Sequence, residues 1–402
     1  CYNRSPRTRH KLMWSLRNMR MPIKGFAVLL LTLMASLTWA AALVPQAPKL
    51  AASAYILMDA GTGHIIVENN ADEVLPPASL TKMMTAYILS YEVATGNVAL
   101  TDEVRISEKA WRTEGSRMFI QEGKFVLLED LMRGVIIQSG NDACIVVAEG
   151  LAESEEAFAE EMTERAIELG MKNTIFKNAT GWPVPGHVST ARDLALLAKR
   201  TIMDFPTFYH YYSNKEYTFN GIRQKNRNPL LDRDNISADG LKTGHTQDSG
   251  YGLTASAKKG QRRLILVVNG LPTKKARRRE PERLLEWGFR EFNNYKLFNA
   301  GEKVASSDVW LGDRPMVGLV INKELIVTLP RKARRKMKVI VQYDSPIPAP
   351  ISRGDKVAKL LITAPGELDI EVPLSADRNI AQLSLMGRIG PALRAVIWGD
   401  TR

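Results

Sequence analysis

Cysteine and histidine are scarce in this chain of 402 residues: there are two cysteines, Cys1 and Cys144, and five histidines. Neither count supports a disulfide framework. If the N-terminal segment is removed on export, Cys144 stands alone, and its setting Ala143-Cys144-Ile145-Val146-Val147 reads as a small buried hydrophobe rather than a nucleophile. His64, His187, His210 and His245 are scattered without ligand spacing, so no metal site and no cofactor is expected. Acid is missing from the first 42 residues, which carry Arg4, Arg7, Arg9, Lys11, Arg17, Arg20 and Lys24, then the apolar run Phe26 to Leu37, then Ala40-Ala41-Ala42. This is the pattern of a secretory signal over 1–42 with Ala42 the last residue before cleavage. The run also reads as an uncleaved anchor, since it stays largely apolar to Val44. Both readings export the rest of the chain. Translation is expected to start at an internal Met such as Met13, Met19 or Met21.

Taking those seven cations from the formal net charge of +12 leaves +5, which excludes nucleic acid as the expected partner. The remaining basic runs, Lys274 to Arg279 and Arg331 to Lys338, suit solvated faces or contact with anionic lipid or polymer in an exported protein. With 45% hydrophobic and 24% charged residues the chain is a folded protein of two or three domains.

Patterning divides it further. Ala54 to Met58, the turn Asp59 to Gly63, and His64 to Val67 read as a β-hairpin. Helical spacing follows from Ser79 to about Thr95-Gly96, then over Leu127 to Ile137, Ala143 to Leu151, Ala157 to Leu169 and Thr190 to Ile202, with a looped stretch Asn178 to Gly186. From Gly240 the pattern is stranded, Leu241 to Thr246, Tyr251 to Lys258 and Arg263 to Asn269, and short turns make these antiparallel neighbours. A closing helix is expected over Pro281 to Tyr295. The fold class is therefore α+β, an antiparallel sheet with a helical subdomain over 43–295. Short β-like runs separated by Pro and Gly make 296–382 a small all-β domain with no catalytic cluster. In 383–402, Leu385, Met386, Ile389, Leu393, Val396, Ile397 and Trp398 fall near one helical face, opposite Arg388, Arg394 and Arg402. This is the pattern of an interfacial membrane helix, with packing on the β domain as the alternative.

Chemistry starts from Ser79-Leu80-Thr81-Lys82. After Pro76-Pro77 the serine is a natural helix N-cap, and Ser256-Ala257-Lys258-Lys259 repeats the S-x-x-K pattern on a strand, so the motif alone is weak. A serine hydroxyl needs a base, an oxyanion site and a substrate clamp before it acts as a nucleophile. Lys82 lies one helical turn away and becomes a base if a buried cleft lowers its pKa. Ser139-Gly140-Asn141 offers a hydroxyl for proton relay and an amide for a substrate carbonyl. Lys242-Thr243-Gly244-His245-Thr246 offers a strand with a cation and a glycine, suited to an extended peptide.

In this order the three elements resemble the serine penicillin-binding proteins and serine β-lactamases, whose signature is S-x-x-K, S-D-N and K-T-G. The middle triad with Gly, Gly250-Tyr251 after the Lys-Thr-Gly strand, the opening hairpin and Leu284-Leu285-Glu286-Trp287-Gly288-Phe289 are similar to the exported D-alanyl-D-alanine carboxypeptidases of low molecular mass. So is the order of catalytic domain, β-rich domain and amphipathic helix. The resemblance implies an acyl-enzyme on Ser79 that releases the terminal D-alanine of peptidoglycan stem peptides, with penicillins as covalent inhibitors. It implies Lys82 as base, Ser139 and Lys242 in the proton relay, Asn141 on the acyl amide, and the N–H groups of Ser79 and His245 as oxyanion hole. Thr243, Gly244, His245 and Thr246 would hold the substrate, and an arginine would take its carboxylate. Arg277 is the choice by position, although Arg278 and Arg279 adjoin it. The implied location is the periplasmic face of the bacterial inner membrane. The alternatives are an endopeptidase on D-Ala cross-links, a β-lactamase, and an inactive wall-binding protein. Asn173 to Pro185 lacks the acid that a class A β-lactamase would carry, and intact Ser79, Lys82, Ser139, Asn141 and Lys242 argue against an inactive scaffold.

Overall fold

The computed structural model describes residues 45–390. The expected signal segment 1–42 and residues 391–402 of the expected amphipathic segment lie outside them.

A five-stranded antiparallel sheet forms the centre of the first domain. Its strands are β1 (Ala54–Asp59), β2 (Ile65–Asn69), β3 (Ser237–Thr246), β4 (Gly250–Lys259) and β5 (Arg262–Leu271), in the order β2-β1-β5-β4-β3. The N-terminal hairpin therefore completes a sheet begun by strands almost 200 residues later. Alternation along β1 and β5 explains why the sheet is covered on both faces. Ile56, Met58, Ile265 and Val267 pack into a core with the helical subdomain, whereas Leu57, Leu264, Leu266 and Val268 pack against Leu284, Leu285 and Trp287. The helical subdomain contains α1 (Lys82–Thr95), α2 (Asn141–Ala152), α3 (Glu155–Leu169) and α4 (Ala191–Asp204). α1 ends where expected, on Gly96 at φ +80°, a left-handed cap that glycine adopts without strain.

The closing helix differs from expectation at both ends. α5 runs from Lys274 to Glu291, with Thr273 as N-cap accepting from Ala276 N, and Pro281 lies inside it. The first turn is fixed by this threonine cap, eight residues before Pro281. At the other end Phe292 to Tyr295 are not helical. They belong to β6 (Phe292–Phe298), which pairs with β9 (Leu325–Pro330) of the second domain. Pairing with a distant strand outweighs the local helical pattern, as tertiary context commonly does.

The second domain is all β. A six-stranded sheet has the order β10 (Lys338–Gln342), β12 (Lys356–Thr363), β13 (Ile370–Ala376), β8 (Met316–Val320), β7 (Lys303–Trp310), β11 (Ile347–Pro348). Its core gathers Val317, Leu319, Val327, Leu329, Leu360, Ile362 and Leu374. Buried polar contacts join the two domains. Asp59, fully buried at the end of β1, accepts from Arg262 Nε at 2.8 Å and from Asn294 Nδ2 at 3.1 Å, and Thr62 Oγ1 lies 2.6 Å from Thr328 Oγ1. Residues 385–390 are helical, and Leu385, Met386 and Ile389 are exposed rather than packed on the β domain. Among the described residues no helix is long and apolar enough to cross a membrane.

Candidate active site

Ser79 does not cap a helix. It sits in a single 3-10 turn, Ala78–Thr81, ahead of α1, and neither that turn nor α1 has a side-chain cap. Ala78 before it holds φ +50°, a left-handed conformation rare for a residue with a Cβ. Half-buried Ser79 accepts instead from Lys82 Nζ at 3.2 Å. Lys82 is 1% exposed; it also donates to Asn141 Oδ1 at 2.8 Å and to the Thr180 carbonyl at 2.5 Å. Burial pulls its ammonium down to about 8, and the Arg227 guanidinium pushes the same way. A lysine is thereby held beside a serine with a substantial neutral fraction near neutral pH.

The second motif closes the site from the helical side. Ser139 is in the left-handed region at φ +59°, at the end of a wide helical turn over Gly134–Gln138, and α2 starts at Asn141. Asn141 donates through Nδ2 to the Glu114 carbonyl at 2.7 Å; its second Nδ2 hydrogen remains for another acceptor. Asp142, buried behind it, accepts from the N–H groups of Met118 and Phe119 at 2.9 and 3.0 Å. This fixes the 114–120 loop against α2.

The third motif lies on β3. Lys242 Nζ donates to Ser139 Oγ at 2.8 Å, and burial, with Lys82 and Arg227 nearby, depresses the Lys242 pKa strongly. A Cβ at Gly244 would stand 3.1 Å from both the Pro77 carbonyl and Leu80, so only a bare backbone lets β3 lie this close to the Ser79 turn. Thr243, Gly244 and His245 line a cavity of about 610 Å³ with Ser79, Ser139 and Arg277. Thr246 is not among its walls: its hydroxyl is 2.6 Å from Ser249 Oγ in the β3–β4 turn. Of the three adjacent arginines, Arg277 is the one that reaches the cavity. It donates to the Gly244 carbonyl at 3.2 Å and stacks over Tyr251, while Arg278 and Arg279 are exposed and do not line it.

Four contributors were not foreseen. Arg227 and Ser116, 2.5 Å apart through Nη1 and Oγ, also line the cavity, and no local pattern marks either. The Thr180 carbonyl holds Lys82, and His187 bonds Thr81 Oγ1 at 2.8 Å while its Nδ1 accepts from Lys177 N. The loop carrying Thr180 is pressed so hard on the Ser79 turn that a Cβ at Gly181 would meet the Ala78 carbonyl oxygen at 1.8 Å. The second S-x-x-K match behaves differently: Ser256 is wholly buried on β4 and accepts from Arg263, and Lys259 is exposed.

With this geometry established, comparison with known proteins is specific. A profile of the D-alanyl-D-alanine carboxypeptidase family, peptidase S11, matches residues 41–273, and one of the penicillin-binding protein 5 C-terminal domain matches residues 292–382. D-alanyl-D-alanine carboxypeptidase DacC of Escherichia coli (strain K12) is 41% identical over 366 residues, 89% of this chain and 92% of the relative. The crystal structure of penicillin-binding protein 5 from Haemophilus influenzae superimposes with a TM-score of 0.79 at 37% identity, covering 84% of this chain and all of that one. A D-alanyl-D-alanine endopeptidase of Escherichia coli is more distant, 29% identical over 62% of this chain and 80% of the relative. The chain belongs to the D-alanyl-D-alanine carboxypeptidase family of serine peptidases, with the mixed catalytic domain and C-terminal β domain of that group.

Proposed function

We propose that the protein is a serine D-Ala-D-Ala carboxypeptidase that removes the terminal D-alanine from peptidoglycan stem peptides. The observation that carries this reading is a buried lysine with its pKa near 8, 3.2 Å from a serine that caps nothing. Lys82 takes the proton of Ser79 as Oγ attacks the penultimate carbonyl, and the N–H groups of Ser79 and His245 receive the developing oxyanion. Lys242 and Ser139, 2.8 Å apart, pass a proton to the leaving amine. Asn141 orients the acyl amide, and Thr243, Arg277 and Arg227 take the terminal carboxylate, since the cavity they line contains cations and no carboxylate. Water then hydrolyses the acyl-enzyme. A penicillin enters the same sequence and stops at the acyl stage.

Closer likeness to carboxypeptidases than to an endopeptidase, in both identity and length, supports release of a terminal residue over cutting of cross-links. Export to the periplasmic face of the inner membrane is supported by the basic and apolar pattern of 1–42, and a membrane-surface role for 383–402 by exposed Leu385, Met386 and Ile389.

The test pairs labelling by fluorescent penicillin with D-alanine release from a pentapeptide ending in D-Ala-D-Ala, in the native chain and in Ser79→Ala. Stable label and D-alanine release, both lost in Ser79→Ala, are expected. Label without D-alanine release would favour the endopeptidase, and rapidly lost label with penicillin turnover a β-lactamase.

A further inference from the structure

His187 is buried, whereas the other described histidines are at least partly open to water, and none of the acyl-transfer steps above uses it. Its ring is bonded at both nitrogens. Nδ1 accepts from Lys177 N at 3.1 Å, and Nε2 lies 2.8 Å from Thr81 Oγ1. A backbone N–H can only donate, so Nδ1 carries the lone pair; the neutral ring then has its proton on Nε2 and donates it to Thr81. An imidazolium would turn a proton toward the Lys177 N–H. Burial, and the Lys82 ammonium nearby, also keep the ring neutral by pulling its pKa down to about 4. The Phe176 ring meets it edge to face, with centroids 5.7 Å apart, and sets the plane of the imidazole.

Both ends of this strut bear on Ser79. Thr81, fully buried, belongs to the same 3-10 turn as the serine. Lys177 and His187 are the two ends of the loop whose Thr180 carbonyl accepts from Lys82 Nζ and whose Gly181 packs on the Ala78 carbonyl. Behind them the loop is closed by the bridge between Ile175 and Val188, and Leu75 and Ser189 exchange backbone bonds of 2.9 and 3.0 Å. Thr85 Oγ1, one turn along α1, donates to the Ala179 carbonyl at 2.7 Å. Three side chains at or just before the start of α1 therefore hold one loop: Thr81 through His187, Lys82 through Thr180, and Thr85 through Ala179. Of the three, the first also ties the two ends of the loop to each other.

On the acyl-transfer reading given above, we propose that His187 is a positioning residue for Ser79 and Lys82: as a neutral imidazole it locks the 177–187 loop to the Ser79 turn, keeping the Thr180 carbonyl on Lys82 and Lys82 Nζ on the serine. It touches neither substrate nor the reacting atoms. His187 does not line the Ser79 cavity, and Thr243, Arg227 and Arg277, which take the substrate carboxylate, lie on other elements. Its loss therefore falls on the chemical step and leaves substrate binding in place.

The test uses the full chain with His187→Phe, which keeps a flat ring against Phe176 but has no nitrogen, and His187→Gln, whose amide offers both an acceptor and a donor. His187→Phe should lower kcat/KM for D-alanine release and the rate constant for acylation by fluorescent penicillin by a common factor of about 10². His187→Gln should bring both back to within about fivefold of the native values. Binding of the pentapeptide, measured in the Ser79→Ala background, should change less than about twofold on adding His187→Phe. Thr81→Val removes the other end of the bond and should lower both rates at least about tenfold, which tests the link even where His187→Phe does not fold. The losses in Thr81→Val and His187→Phe should overlap in the double variant and not multiply. In nitrogen NMR spectra native His187 should keep the neutral Nε2–H form from about pH 5 to about pH 9. A loss below about threefold in His187→Phe overturns the proposal, as does an equal loss in His187→Gln. So do weakened peptide binding that accounts for the loss, losses that multiply, or a His187 that titrates near the ordinary histidine value. A native chain that neither releases D-alanine nor takes penicillin label overturns the acyl-transfer reading itself, and is told apart from these outcomes before any variant is made.

Discussion

The chain contains the same four-residue spacing twice, and only one copy builds a site. Ser79 and Lys82 lie on a helical turn, where positions i and i+3 share a face, and their side chains meet at 3.2 Å. Ser256 and Lys259 lie on β4, where positions three apart point to opposite faces. Ser256 faces inward and accepts from Arg263, while Lys259 is exposed to water. Burial differs as well. Lys82 is buried, bonded to Asn141 and the Thr180 carbonyl, and burial lowers its pKa to about 8. A motif thus acquires chemistry from its backbone and from what encloses it.

The sharpest way to break this comparison is to delete each serine in turn. Ser79→Ala should lower D-alanine release by about 10⁴-fold or more and abolish stable penicillin labelling, because losing a nucleophile leaves only binding and oxyanion contributions. Ser256→Ala should keep activity within about twofold and lower stability by about 1 kcal/mol, the net worth of one hydrogen bond, since Arg263 keeps its pair with Asp239 at 2.7 Å. The lysines should divide the same way. Lys82→Ala should approach the loss of Ser79→Ala, because groups acting as a unit are not additive, and Lys259→Ala should be silent. Comparable losses at both serines would show that the strand copy takes part after all.

What was legible in the sequence followed this division. Ser79, Lys82, Ser139, Asn141 and Lys242 stand in local patterns whose spacing matches the helix start, interhelical turn and strand they occupy. The hairpin, the helices and the antiparallel returning strands were likewise set by local periodicity and turns. The misses are non-local. Pairing of β6 with β9 turned Phe292 to Tyr295 from helix to strand, and nothing within those four residues announces a partner more than thirty positions away. Arg227 lies between the β-hairpin Glu216–Lys225 and β3 with no motif around it; only the folded chain brings it to Ser116. Thr246 belonged to a contiguous run with Lys242, but the turn at Ser249 holds its hydroxyl and it is not among the cavity walls.

A smaller effect is expected where enclosure alone is disturbed. Gly181, at φ +81°, packs on the Ala78 carbonyl, and a Cβ there would have to displace the Ser79 turn. Gly181→Ala leaves every reacting group present. Misplacement by about 1 Å commonly costs about 10²-fold, and that is the loss expected in kcat/KM for D-alanine release. The crowding contact has no counterpart at the exposed turn glycine after Lys259, Gly260, where a Cβ meets nothing within 4 Å. Gly260→Ala should therefore leave kcat/KM unchanged and show only the conformational cost of its positive φ in thermal stability.

The smallest expected effect concerns the pKa of Lys82. Lys82 acts as a base only when neutral, so log kcat/KM should rise with pH and level off above about 8. Arg227 contributes to that value, because a nearby guanidinium disfavours a second cation. Replacing it by glutamine removes the repulsion, the ammonium form gains, and the rising limb should move to higher pH. Loss of carboxylate binding in the same variant would lower the plateau without moving the limb, so the position of the limb, and not its height, is the measurement. A limb that stays in place in Arg227→Gln would mean that burial alone sets the base. A limb that moves to lower pH would mean that neither buried lysine is the group titrating, because Arg227 depresses Lys242 in the same direction as Lys82.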